Sequence, residues 1–219
     1  MPINRRQFLF ILSSIAFFRV PFIDAQSKYS ETVAVLQRAY TREIQAYLNY
    51  LSYAEKAKLE DYPGLAYFFY SFAMAELVHA RNFKLVLSVS GVPDWDPPKP
   101  EVKVFSTKVN LKSALAFEMA DIDQRYPQFV EEAKPEAHEG TLRNLNWAWD
   151  TEKQHRDLIQ KMQSGTGIFF EILAKKMEQP PLKFFICQTC GSTVTELPDQ
   201  VCPICGSPLS VYQEVERQK

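Results

Sequence analysis

Carboxylates on the apolar face of four helical segments restrict the fold of this chain more than any other sequence feature. Apolar residues recur at steps of three and four over 33–54, 65–86, 111–122 and 145–162, the period of one face of an α-helix. Each of these stripes contains a glutamate in an otherwise largely apolar run: Glu43, Glu76, Glu118 and Glu152. The pattern predicts four amphipathic helices whose buried faces all contain a carboxylate.

The segments between these stripes indicate how the helices are connected. Residues 91–110 contain four prolines and no helical period, which predicts a long connection between the second and third helices. Pro63 suits the first turn of the second helix, and Pro127 should bend or end a turn of the third. A turn over 134–140 leads to the fourth helix. We therefore predict a mainly α chain that folds as a ferritin-like four-helix bundle with one long crossover.

The glutamates are spaced as in an internal repeat. Glu43 precedes Glu76 by 33 residues, and Glu118 precedes Glu152 by 34, so the two helix pairs place their acids alike about a pseudo-two-fold axis. An unpaired carboxylate in an apolar core costs several kcal/mol or takes up a proton instead. A pair of divalent cations would neutralise such a cluster.

Two histidines strengthen the metal interpretation. His79 and His155 each follow a glutamate by three residues, and residues three apart share a helix face. Two Glu-x-x-His motifs with one glutamate from each remaining helix form the ligand set of di-metal bundles. Ordinary core or surface histidines are the alternative, but they do not explain why both motifs lie in register with Glu43 and Glu118. Mixed oxygen and imidazole ligands favour iron or manganese over copper or structural zinc.

Two other polar side chains lie close to these motifs in the sequence. Tyr50 lies two turns beyond Glu43 on the same face, where it would either contact the cluster, by a hydrogen bond or in radical control, or simply fill the core. His138 falls in the turn after Pro135, and we assign it no role.

Four cysteines form a second metal motif near the C-terminus. They lie in two Cys-x-x-Cys-Gly turns, a spacing typical of a tetrahedral metal site: Cys187, Cys190, Cys202 and Cys205. Disulfides are the alternative. Iron and zinc both fit four thiolates, and only iron would relay electrons. We place the bundle at 27–165, a linker at 166–182 and the four-cysteine domain at 183–219.

The N-terminal segment, 1–26, has the features of an export signal. Arg5 and Arg6 precede an apolar run over 8–18 that is too short to span a bilayer. The pattern Arg-Arg-x-Phe-Leu is similar to a twin-arginine signal, which predicts a periplasmic or other extracytoplasmic location. An amphipathic start or an uncleaved anchor is the alternative, and without a signal the protein would be cytoplasmic. We expect membrane contact only through this segment, and the net charge of −1 provides no basic field for nucleic acid.

Taken together, the chain resembles a rubrerythrin over about residues 30–215. The residues that carry the resemblance are the bundle glutamates and histidines, Tyr50, Asp121, Tyr126-Pro127-Gln128-Phe129 and the rubredoxin-like cysteine quartet. The resemblance implies that the four glutamates are ligands or bridges of two irons, and that His79 and His155 are terminal ligands. It also implies a ligand at Asp121, where the family has glutamate. The shorter Asp121 predicts weaker ligation, so that His79 would keep its iron on oxidation.

The resemblance further implies a non-haem peroxidase. Hydrogen peroxide would be reduced to water, with electrons passed from an external donor through iron in the rubredoxin-like site. A homodimer is implied, with the tail of one subunit close to the bundle of the other. Two alternatives remain open: a ferroxidase or iron-handling protein that uses the same di-iron site, and a structural metal protein with a zinc-ribbon interaction module.

Overall fold

The computed structural model describes residues 29–164 and 182–217, with side chains described to residue 160 in the first of these ranges. The signal segment predicted at 1–26 and almost all of the linker predicted at 166–182 lie outside the described residues. The domain boundaries therefore stay predictions.

The described chain forms a four-helix bundle followed by a small β domain, which confirms the predicted fold class. The first two helices, α1 (Ser30–Leu59) and α2 (Pro63–Val89), form an antiparallel pair with extensive mutual contact. Pro63 occupies the first turn of α2, as expected. In the described residues, no helix combines the length and the apolar character required to cross a bilayer.

The long connection ends earlier than predicted, because α3 (Thr107–Ala120) begins within residues 91–110. The carboxylate of Glu60 accepts a hydrogen bond from the backbone N–H of Thr107 at 2.8 Å. The side-chain amide of Asn110 pairs with the backbone of Phe105 through two bonds of 2.9 and 3.0 Å. A cap supplied by a residue 47 positions away leaves no local sequence signal.

The third bundle helix contains a π-helical turn. Residues Asp121–Arg125 form this turn, and α4 (Tyr126–Ala133) continues directly from it. Pro127 lies in the first turn of α4, so the chain stays helical through it, and the change of helix type falls in the five residues before it. A 3₁₀ turn over Lys134–Glu136 precedes α5 (Glu139–Ser164), whose start receives a cap from His138 Nδ1, 3.2 Å from the N–H of Thr141.

Two apolar clusters lie on either side of the acidic region of the bundle. One is rich in aromatic residues and contains Phe68, Phe69 and Phe72; the other contains Leu36 and Leu145. Fully burying a side chain of this size contributes about 1.5–3 kcal/mol. These two clusters hold the helices around the carboxylates.

The C-terminal domain is a three-stranded antiparallel sheet in the order β2-β1-β3, made of Phe185–Cys187 (β1), Thr193–Val194 (β2) and Tyr212–Glu214 (β3). It packs against α2 and α5 of its own chain. Phe184 joins the aromatic cluster of the bundle. The hydroxyl of Tyr67 accepts from the N–H of Phe184 at 3.1 Å and donates to the carbonyl of Val215 at 2.7 Å. The domain is thereby fixed beside the acids of the bundle.

Candidate metal centres

The bundle brings all four predicted glutamates and both predicted histidines together. Their ligand atoms form two groups, and within each group the atoms lie within 4.8 Å of one another. The members of the first group are Glu43, Glu76, His79 and Glu152, and those of the second are Glu76, Glu118, Glu152 and His155. Glu76 and Glu152 belong to both groups and are placed to bridge two ions. The internal repeat relates Glu43 to Glu118, and the Glu76–His79 motif to the Glu152–His155 motif. Applying this relation to the first group gives the second group.

The donor atoms of the second group fit a metal ion. Glu76 Oε1, Glu118 Oε2 and His155 Nδ1 are buried and have no hydrogen-bond partner among the described residues. Buried polar atoms are almost always paired, so three unpaired atoms on residues of one ligand group indicate a ligand. His155 Nδ1 lies 3.3 Å from Glu76 Oε1 and 3.7 Å from Glu118 Oε1. The residues present therefore fit the di-iron group of ferritin-like bundles.

Protons compete with metal ions for these same atoms. Burial raises the pKa of Glu43 to about 8, although His79 beside it works in the opposite direction. Burial, followed by repulsion from Glu76, raises the pKa of Glu152 well above its ordinary value. Burial lowers the pKa of His79, but the carboxylates of Glu43 and Glu76 outweigh it and raise that pKa to about 10. Metal binding must displace these protons, so uptake is expected to weaken as the pH falls.

Two buried tyrosines each donate a hydrogen bond to a glutamate on the opposite helix pair. The hydroxyl of Tyr50 on α1 donates to Glu118 on α3, and the hydroxyl of Tyr126 on α4 donates to Glu43 on α1. Tyr50 follows Glu43 by seven residues, whereas Tyr126 follows Glu118 by eight. The π turn accommodates the additional residue and brings Tyr126 into the position equivalent to Tyr50. The helical irregularity thus preserves the two-fold arrangement of the site.

Asp121, at which the resemblance implies a ligand, lies outside both ligand groups. Its carboxylate accepts from Arg42 Nε at 2.7 Å and from Arg42 Nη2 at 2.5 Å, and Arg125 Nη1 lies 3.1 Å away. Both residues of the main pair are largely buried, with side chains 12% and 4% exposed. In this structure the Asp121 carboxylate is therefore occupied by an ion pair with Arg42.

The four cysteines converge as predicted. Their sulfurs lie within 4.8 Å of one another and all four are free thiols, with Cys187 and Cys205 3.6 Å apart. A hydrogen bond from Cys190 and the N–H groups of the turn lower the pKa of Cys187 to about 5, which favours the metal-binding thiolate. The arrangement is that of a four-cysteine metal site rather than of two disulfides.

The two metal centres are in direct contact through the protein. His79 Nε2 lies 3.1 Å from the carbonyl oxygen of Cys190, and His155 Nε2 lies 3.2 Å from Thr193 Oγ1. A Cβ at Gly191 would overlap the ring of His79, and Gly191 has φ +86°. Only glycine allows the turn after Cys190 to approach the histidine this closely.

Sequence reasoning missed three residues that contact the ligands or their neighbours: Tyr126, Arg42 and Thr193. The helical period does not indicate Tyr126 as a neighbour of the ligands, because a seven-residue step does not reach it across the π turn. Arg42 and Thr193 leave no local signal, since their partners lie 79 and 38 residues away.

A helical bundle with two overlapping carboxylate–histidine groups defines a ferritin-like di-metal carboxylate protein. Residues 34–163 match the rubrerythrin family. Rubrerythrin-2 of Clostridium acetobutylicum is 30% identical over 190 residues, which cover 85% of this chain and 97% of that protein. The rubrerythrin of Porphyromonas gingivalis is 28% identical over 192 residues, 86% of this chain and 92% of that one.

Solved structures share the fold. The fully reduced, all-ferrous state of nigerythrin has a TM-score of 0.71 at 22% identity and covers 84% of this chain and 86% of its own. The chain belongs to the rubrerythrin family. It is accordingly a di-iron protein with a separate four-cysteine metal site.

Proposed function

We propose that this protein is a non-haem di-iron peroxidase that reduces hydrogen peroxide to water with electrons relayed through iron in the four-cysteine site. When bound, the pair of irons would supply the two electrons that convert one peroxide and two protons into two waters. The family relationship and the oxygen-rich ligand groups support this proposal.

The observation that carries the proposal is the hydrogen bond between His79 and Cys190. One residue belongs to the first bundle group and the other to the cysteine quartet, and their contact distance is 3.1 Å. A donor site and an acceptor site joined by one hydrogen bond are suited to electron transfer. We therefore propose iron at the cysteines, because zinc has no redox chemistry.

The side chains around the ligands hold them and exclude water. Tyr50 donates a hydrogen bond to Glu118 and Tyr126 donates one to Glu43, and these bonds fix the orientation of the two carboxylates. The ring of Phe72 stacks on His155 at a centroid distance of 4.1 Å. All ligand residues of the bundle are at most 2% exposed, so a reactant must be small, as hydrogen peroxide is.

The proposal also covers the electron donor, the oligomeric state and the cellular location of the protein. We propose an external electron donor, a homodimer and export by the N-terminal twin-arginine segment. Export of a folded protein would allow both metal sites to fill in a reducing cytoplasm before the thiols oxidise. Light scattering of the purified full chain would test the dimer.

The reaction can be tested by measuring steady-state turnover with a reductase as electron donor. Hydrogen peroxide and oxygen are compared as oxidants. We expect donor oxidation to be much faster with hydrogen peroxide than with oxygen, and to require a red, iron-loaded cysteine site. Turnover with oxygen and ferrous iron but not with peroxide would instead favour the ferroxidase alternative. A colourless, zinc-filled cysteine site in protein from the native host would contradict the relay.

A further inference from the structure

The outer nitrogens of both histidine ligands are bound by one turn of the C-terminal domain. His79 Nε2 contacts the carbonyl oxygen of Cys190, and His155 Nε2 contacts the hydroxyl of Thr193, at 3.1 and 3.2 Å. The Thr193 hydroxyl lies 3.0 Å from the carbonyl oxygen of Gly191. Both hydrogen-bond chains therefore end on consecutive carbonyls of the same turn, those of Cys190 and Gly191.

These acceptors determine which nitrogen of each imidazole has the proton. A carbonyl oxygen only accepts, so the contact with Cys190 requires a hydrogen on His79 Nε2. The hydroxyl of Thr193 donates to Gly191, so its oxygen accepts from His155 Nε2. Once a metal ion displaces any proton on Nδ1, each imidazole can offer Nδ1 to the ion while Nε2 keeps its hydrogen, which is the form that binds metal.

The two histidines differ in what supplies their acceptor. The acceptor of His79 is a backbone carbonyl, which a side-chain substitution at Cys190 would not remove. The acceptor of His155 is one hydroxyl, and the backbone N–H of that same Thr193 is held by Gln154 Oε1 at 3.1 Å. His155 is fully buried, and its Nδ1 has no hydrogen-bond partner in the part of the chain that the structure describes. Its orientation toward an ion therefore depends on Thr193.

We propose that Thr193 is a positioning residue for the ion site formed by Glu76, Glu118, Glu152 and His155, and that docking of the C-terminal domain completes this site. The hydroxyl fixes the tautomer and the ring orientation of His155. This inference rests on the di-iron part of the proposed function and not on the reaction with peroxide.

Three variants of the full-length chain distinguish the effect of losing the Thr193 hydroxyl from the effect of altered packing. Thr193→Val removes the hydroxyl at nearly constant volume and keeps a residue suited to a strand. Thr193→Ser retains the hydroxyl. Ser192→Ala is the matched control, because it removes an equally buried hydroxyl from the adjacent position, where it contacts Tyr212 at 3.0 Å and no histidine.

Cobalt(II) is the probe, titrated against a competing chelator after the cysteine site has been filled with zinc. Removing a partner of a metal-bound histidine typically costs about 10–100-fold in metal affinity. We expect a loss of this size at one of the two bundle ions in Thr193→Val, with a changed cobalt absorption spectrum. Thr193→Ser and Ser192→Ala should bind cobalt as the wild type does.

Wild-type cobalt binding by Thr193→Val would overturn the proposal. An equal loss in Ser192→Ala would also overturn it, because the effect would then arise from packing of the turn. Thr193→Ala gives the same test if the valine variant does not fold. A persistent affinity difference in a protein without peroxide turnover would support this inference while the peroxidase proposal fails.

Discussion

The imidazole of His79 and the backbone carbonyl of Cys190 are joined by a 3.1 Å contact between residues 111 positions apart in the chain. Each belongs to a different metal-binding group. The close approach is possible because residue 191 is glycine, since a Cβ there would overlap the His79 ring.

Substitution of Gly191 should therefore impair communication between the two sites. Gly191→Ala must displace the turn or the histidine, and a misplacement of about 1 Å at a reacting site costs on the order of 100-fold in rate. Stopped-flow oxidation of the reduced protein by peroxide, followed at the visible band of the cysteine-bound iron, measures this transfer.

Gly206→Ala is the matched control for that experiment. Gly206 follows the second cysteine pair, also has a positive φ of +72°, and has nothing within 4 Å of an added Cβ. It should incur only the backbone cost of roughly 1–2 kcal/mol. Equal slowing in the two variants would show that strain in the turns, rather than contact with His79, causes the effect.

Loss of a shared carboxylate should empty both bundle sites, whereas loss of an unshared one should empty one. Glu76 belongs to both ligand groups and Glu43 to one. Metal analysis should find that Glu76→Ala loses both bundle irons and Glu43→Ala loses one, while the red cysteine site persists in each. Retention of both irons and of peroxide turnover in Glu76→Ala would refute the assignment of the site.

The hydroxyls of Tyr50 and Tyr126 should contribute equally to the free energy of unfolding. Tyr50→Phe and Tyr126→Phe each leave a buried carboxylate oxygen without its donor, at a cost of about 1–3 kcal/mol. Tyr40→Phe should cost less, because its partner Asp96 has a side chain 60% exposed to water. Urea unfolding of the metal-free proteins measures these differences, and unequal losses for Tyr50 and Tyr126 would contradict the reciprocal arrangement.

Asp121 should matter for stability rather than for iron binding. Asp121→Ala leaves the largely buried Arg42 without its main partner, and breaking a buried pair costs about 3–5 kcal/mol, less here because Arg42 is 12% exposed. We expect two irons still to bind in the bundle. Crystal structures of both redox states should show Asp121 on Arg42 and iron retained by His79; direct binding of iron by Asp121 after oxidation would contradict this.

Export should depend on the identity of the arginine pair and not on its charge. Arg5→Lys combined with Arg6→Lys preserves the charge, so a purely electrostatic signal would survive, whereas a receptor-read signal would not. Cell fractionation should find the double variant inside the cell. Normal export of it would refute the twin-arginine prediction.

The sequence by itself identified the residues that form the two candidate metal centres. Hydrophobic periodicity placed Glu43, Glu76, Glu118 and Glu152 on buried helix faces, and the spacing of Glu-x-x-His and Cys-x-x-Cys is local. Such patterns depend on the period of one helix or turn, which neighbouring residues specify. The sequence therefore indicated the bundle, its crossover and both groups of ligands.

Only the tertiary structure decided which residues surround those ligands. The pairs Tyr126–Glu43, Arg42–Asp121 and His79–Cys190 join residues 83, 79 and 111 positions apart. Helix packing, the extra residue of the π turn and the docking of the C-terminal domain bring these pairs together. Because such contacts depend on the relative placement of whole elements, no local period in the sequence specifies them. The ion pair of Asp121 with Arg42 was decided at that level.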